Sequence, residues 1–157
     1  MVILGNLRGG GKFCEANAVS ADGTIIVGQS DSTRGLQAYR WTAAGGMVGL
    51  GQLPGSTNSA AIAVSNDGSV IVGTSKSPSD DETAFVWDKT HGMRDLKSVL
   101  TKVYHLNLKG WKLTSAAGIS SDGKTIVGHS RHDDHDEAWV AHLDRPVDAP
   151  VGKKSGQ

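Results

Sequence analysis

The sequence predicts an all-β fold of the β-propeller type, with three four-stranded blades in one chain. Three observations predict it. The segment Ala18 to Ser30 (AVSADGTIIVGQS) returns as Ala63 to Ser75 (AVSNDGSVIVGTS) and again as Gly118 to Ser130 (GISSDGKTIVGHS). Such self-similarity marks one supersecondary unit that is copied and stacked. The step from Asp22 to Asp67 is 45 residues, which is room for about four short strands with their turns and is the size of a propeller blade. Finally, each copy carries an apolar run of strand length between a turn signal and a glycine. A β-solenoid of stacked repeats is the alternative that the same period allows.

The opening stretch Met1 to Leu7 (MVILGNL) matches Met47 to Leu53 (MVGLGQL) at an offset of 46. It reads as a fourth strand with no blade before it. The first blade covers about 16–55. Its first strand ends near Ser20, and Asp22-Gly23 reads as a two-residue hairpin turn with both residues at positive φ. Ile25 to Val27 is nearly all apolar, as in a strand buried on both faces. Gly28 then lets another backbone approach. After a polar loop, Ala38 to Trp41 makes a third strand, and Val48 to Leu53 a fourth.

The second blade, about 61–108, repeats the scheme with Asp67-Gly68, Val70 to Val72, Gly73 and Ala84 to Trp87, and with Arg94 to Val99 as the fourth stretch. Asp67 to Asp122 is 55 residues, and the extra ten fall around 101–109. The apolar residues from Val99 to Leu108 fit either a short helix or a longer outer strand. The third blade, about 116–143, has Asp122-Gly123 and Gly128 and stops after its third strand. The opening strand is thus expected to complete the last blade, within one chain or between two. The domain spans 1–143, and the Pro-, Gly- and Lys-rich tail 144–157 is expected to be disordered.

Three blades are fewer than the usual four to eight or so. Two chains are therefore expected to form a six-bladed ring as a homodimer. Sixteen Lys and Arg balance sixteen Asp and Glu, so no basic stripe draws the chain to nucleic acid. No apolar stretch reaches the roughly 18 residues of a membrane helix, and no membrane insertion is expected. Met1 to Gly5 lacks the basic and apolar regions of a signal peptide. Cys14 is the one cysteine, and it reads as a small buried thiol.

The pattern Val-Ser-x-Asp-Gly-x-x-Ile-Val-Gly-x-Ser, then Ala-aromatic-x-Trp, then Gly-Met-x-x-Leu, resembles the bacterial extracellular HAF-repeat family. The run Gly110 to Gly128, followed by Glu137-Ala-Trp-Val140, is similar to the closing repeat of such proteins. The resemblance implies propeller-like repeats and a secreted or cell-surface location, and it implies no chemistry.

The densest chemical cluster is the loop around His129, His132 and His135, with Asp133, Asp134 and Asp136 between. Imidazoles and carboxylates at this density can ligate zinc, nickel or copper. A solvated loop between the second and third strands is the ordinary reading. Trp111 lies outside the repeat register and is the aromatic best placed to stack on a ligand. Trp41 and Trp87 repeat in register and read as packing between blades. Arg40 and Arg94 are candidate charged contacts at a rim. The repeated Ser20, Ser65 and Ser120 and the Asp-Gly pairs read as turn structure, with the serines bonding nearby amides. No nucleophile stands beside His91 or His105, no phosphate loop is present, and no cofactor is implied. The chain therefore reads as a non-catalytic binding or scaffold module for a glycan or a protein. The alternatives are a glycan-hydrolysing enzyme with an acidic pair near the ring axis and a purely structural fragment.

Overall fold

The computed structural model describes residues 1–133 and 135–149. It is an all-β molecule of three antiparallel sheets with one short helix. Sheet 1 holds β1 (Cys14–Val19), β2 (Ile26–Ser32), β3 (Gly35–Thr42) and β4 (Gly46–Gly51), paired in that order. Sheet 2 holds β5 (Asn58–Val64), β6 (Val70–Lys76), β7 (Glu82–Asp88) and β8 (Gly92–Asp95). Sheet 3 holds β9 (Lys112–Ile119), β10 (Thr125–His132) and β11 (His135–His142). Every pairing between these strands is antiparallel, so the coils of a β-solenoid, which stack strands in parallel, are not formed. The three sheets do not close on one another.

Each sheet has two faces, and side-chain alternation assigns residues to them. Ile25, Val27, Ala38 and Leu50 of the sheet 1 side pack against Ala61, Ile71 and Phe85 of sheet 2 in one buried cluster. On the opposite face of sheet 2, Val70, Val72, Ala84 and Val86 pack against Leu113, Ala116, Ile126 and Ala141 of sheet 3. Sheet 2 is therefore sandwiched, and neighbouring residues of β6 point into different cores.

Between β8 and β9 lies α1 (Leu96–Lys102). Asp95 caps it, its side chain accepting from the Ser98 amide at 2.6 Å, which satisfies one of the free amides at a helix start. Leu96, Val99 and Leu100 bury the apolar stripe. The expected fourth strand Arg94 to Val99 is thus shortened to Gly92–Asp95, because the cap and the i, i+3, i+4 stripe turn the chain into a helix. That helix begins before the 101–109 insertion.

Two further expectations are corrected. Residues 1–7 form no strand and pair with no described strand of this chain, so the last sheet is not completed by the opening stretch within one chain; Leu7 is held instead on sheet 1, its amide donating to Ser30 Oγ. The segment 144–149 is not loose. Val147 is buried in the core shared by sheets 2 and 3, the Arg145 carbonyl accepts from the Tyr104 hydroxyl at 3.2 Å, and the Leu143 amide donates to the Lys124 carbonyl at 2.8 Å. An apolar valine with a core to enter holds this part of the tail down. The remainder, 150–157, lies outside the described residues.

No helix among the described residues is long and apolar enough to cross a membrane.

Candidate functional site

The three repeated turns come together at one end of the sheets. The Ala21 amide donates to the Asn66 carbonyl at 3.2 Å, and the Asn66 amide donates to the Ser121 carbonyl at 3.3 Å. Turn is thus tied to turn across sheet boundaries. Around them opens a hollow of about 630 Å³, lined by Asp22, Asn66, Asp67, Asp122, Pro146 and Asp148 among others.

Each turn is built the same way. The Ser20, Ser65 and Ser120 hydroxyls accept from the amides of Ile25, Val70 and Thr125 at 3.0, 3.0 and 2.9 Å. The same hydroxyls donate to Oδ1 of Asp22, Asp67 and Asp122 at 2.6, 2.7 and 2.6 Å. Each Oδ1 also accepts from an amide, that of Thr24, Ser69 or Lys124. These bonds widen the turn beyond the two-residue hairpin that Asp-Gly suggests. Only the glycines take positive φ, at 72°, 70° and 70° for Gly23, Gly68 and Gly123, while the aspartates do not. The reason is the carboxylate, which is held by its own loop and sets the aspartate backbone.

The electrostatics follow. Asp22 is held below the usual carboxylate range chiefly by the Ser20 hydroxyl. The Ser69 amide does the same for Asp67, and the Ser120 hydroxyl for Asp122. Donors aimed at a charged oxygen favour the charged form. The hollow therefore carries fixed negative charge, and none of these three acids is tuned to keep a proton.

Arg94 and Trp111 do not line this hollow, and Arg40 lies beside it. Arg40, on β3, lines an adjoining cavity of about 460 Å³ with Ile25, Val48, Trp87 and Lys89, and Asp67, Ser69 and Asp148 border both. Arg94, on β8, donates to the fully buried carboxylate of Asp88. That ion pair anchors it to β7, at the border of a hollow lined also by Leu53, Pro54 and Ser56. Trp111 stacks on His132, with ring centroids 4.4 Å apart and planes 6° from parallel, so one of its two faces is already covered.

The three histidines of the loop do not share one face, and Asp134 lies outside the described residues. His129 and His132 lie an odd number of residues apart on β10 and so point to opposite faces. His132 is opposed by His135 across the hairpin and is stacked on Trp111. No group of three potential ligands forms among the described residues.

One polar cluster is not evident from the repeats. Asp88 Oδ1 lies 2.9 Å from His91 Nδ1 and accepts from the amides of Thr90 and His91. The signal was an Asp-x-x-His-x-x-Arg spacing across a tight β7–β8 turn. It is a carboxylate–imidazole pair, and no Ser, Thr or Cys side chain of the described residues bonds the other imidazole nitrogen.

No family model matches the chain, and no curated protein matches it. Among solved structures it is similar to TolB from Acinetobacter baumannii, a β-propeller, with a TM-score of 0.58 and 16% identity. The alignment covers 90% of this chain and 32% of that one. The likeness gives this chain a propeller-like all-β fold, and the chain spans about a third of the protein it matches.

Proposed function

We propose that the three sheets are three blades of a propeller-type module, and that the module is a non-catalytic binding scaffold. The ligand face is the hollow over the repeated turns, and the ligand is a protein segment bearing basic side chains. The convergence of three rigid turns on one open hollow supports this reading. Their carboxylates are pre-oriented by their own loops, so a cation docks without ordering them first. Hydrolysis of a glycan asks for an acid that holds its proton near neutral pH. The hydrogen bonds at Asp22, Asp67 and Asp122 push in the opposite direction, which supports the non-catalytic reading.

The test is calorimetry with Lys- and Arg-rich peptides beside a panel of neutral oligosaccharides. Peptide binding is expected to weaken about tenfold in the Asp67→Asn/Asp122→Asn double variant and to weaken with added salt. Binding of a neutral oligosaccharide in place of the peptides, or its cleavage, would overturn the assignment of ligand.

A further inference from the structure

We infer that the open edge and outer face of sheet 3 recognise a second copy of this chain, which supplies its residues 1–5 as the missing outer strand and the outer face of its sheet 1 as the packing surface. The inference rests on the blade reading above, though not on the identity of any ligand.

The first support is that residues 5–10 are a conformational copy of 51–56. Gly5 and Gly51 have φ of 79° and 88°, and Gly9 and Gly55 have 73° and 81°. The Gly10 amide donates to the Leu7 carbonyl at 2.9 Å, as Ser56 does to Leu53 at 3.0 Å. Leu7 donates its amide to Ser30 Oγ at 3.1 Å, as Leu53 does to Ser75 Oγ at 3.3 Å. Leu53 is where the chain leaves β4, the outer strand of sheet 1, and steps onto sheet 2. Leu7 steps onto sheet 1 by the same route. Residues 1–5 therefore run where the outer strand of a preceding sheet belongs. Among the described residues no strand pairs with them, and Met1, Val2 and Ile3 are 117%, 73% and 80% exposed.

The second support is sheet 3. Among the described residues β11 is an edge strand, where β3 and β7 each carry an outer neighbour. A bare edge is a template for pairing. The repeat also gives the register. Trp41 opposes Met47 and Arg40 opposes Val48. Tyr39 and Trp139 hold equivalent places opposite Gly28 and Gly128. Carried over, Ala141 opposes Met1, and Val140 opposes Val2.

The third support is the faces. Val27 and Val72 are 0% exposed against the next sheet, while the equivalent Val127 is 42% exposed. Conversely, Val64 and Ile119 pack against the cores on either side of sheet 2, while their equivalent Val19 is 56% exposed. The two uncovered faces carry the residue types that meet inside the chain at both internal seams. Each is the natural continuation of an interface the molecule already makes twice. Propellers have about four to eight blades. Two such three-sheet units joined through these faces give six sheets, which lies within that range. Both seams are then equivalent, related by one two-fold axis.

The decisive experiment pairs mass measurement with a cross-link. Val2→Cys/Val140→Cys in a Cys14→Ser background places two thiols opposite one another, where Cβ atoms of facing residues are about 4.5–5.5 Å apart. Oxidation is expected to give mainly a covalent dimer, and light scattering of the unaltered chain twice the chain mass. Val127→Glu is expected to weaken dimerisation at least about 100-fold. It should leave the circular dichroism of the subunit intact, since the side chain is half in solvent already. Val48→Glu, at an exposed site of sheet 1 away from the seam, is expected to leave the mass unchanged. A single-chain mass at about 100 µM (well above typical specific affinities), a cross-link closing within one chain, or an assembly of three or more copies would each overturn the inference. Loss of peptide binding with the dimer intact would count only against the ligand.

Discussion

A methyl group added at Gly73 would sit 2.0 Å from the Ala60 carbonyl oxygen. At Gly28 and Gly128 it would sit 1.9 and 2.0 Å from the carbonyls of Glu15 and Ser115. The cause is an irregularity in the inner strand pairing, between Ala16 and Ala18, between Ala61 and Ala63, and beside Gly128. A bulge pushes one carbonyl toward the neighbouring strand, and an aromatic ring, Phe85 or Trp139, closes over the other side. Gly73→Ala must therefore move backbone, not a flexible side chain, and is expected to cost about 3 kcal/mol. Urea unfolding measures this, and a loss of less than about 0.5 kcal/mol would show that the strand yields. The need for glycine here was legible from its place at the end of each apolar run. The bulge was not, because it depends on which residues face one another across strands. The Asp-Gly turns divide in the same way. Their positions could be read, but the wider geometry came from serine and aspartate side chains that bond within the loop.

At the scale of elements, the strands legible in the sequence are those whose apolar runs are bounded by turns. The second and third strands of each repeat lie where the pattern put them. The fourth strand of the second repeat was misread because Asp95 looks like a polar strand residue until its spacing to Ser98, Val99 and Leu100 is considered. That spacing is a cap followed by a helical stripe. Asp95→Ala is expected to cost about 1 kcal/mol, lowering the melting temperature, while Asp95→Asn should keep most of the stability because an amide oxygen can cap too. Equal losses for both variants would mean that the negative charge, not the hydrogen bond, holds the helix start. The three histidines divide between faces for an element-scale reason as well. Density along the chain does not bring ligands together when a strand sends alternate side chains to opposite faces. The candidate face over the turns was legible only as three isolated loops, because nothing in one copy tells where the others lie.

For the whole molecule, the same Ile-Val-Gly triplet meets different fates in different sheets. In β6, Ile71, Val72 and Gly73 are all buried, since sheet 2 has a neighbour on each side. In β10, Ile126 is buried and Val127 is exposed, since sheet 3 has one neighbour. A motif that reads as a strand buried on both faces is thus satisfied once in full, and its partial failure elsewhere measures what the lone chain leaves uncovered. Local opening follows the same asymmetry, because protection tracks buried contacts and paired backbone. Amide hydrogen exchange is expected to be slowest in β6 and β7. At high dilution it should be fast along β11 and residues 1–5. As concentration rises, β11 and residues 1–5 should gain protection together, while β6 and β7 stay as they were. Mass action imposes this if two copies share a sheet, since only the shared strands respond to the amount of partner present. Protection of β11 that equals β7 at every concentration would mean that its edge is covered from within one chain, and the symmetry argument for a second copy would fall with it.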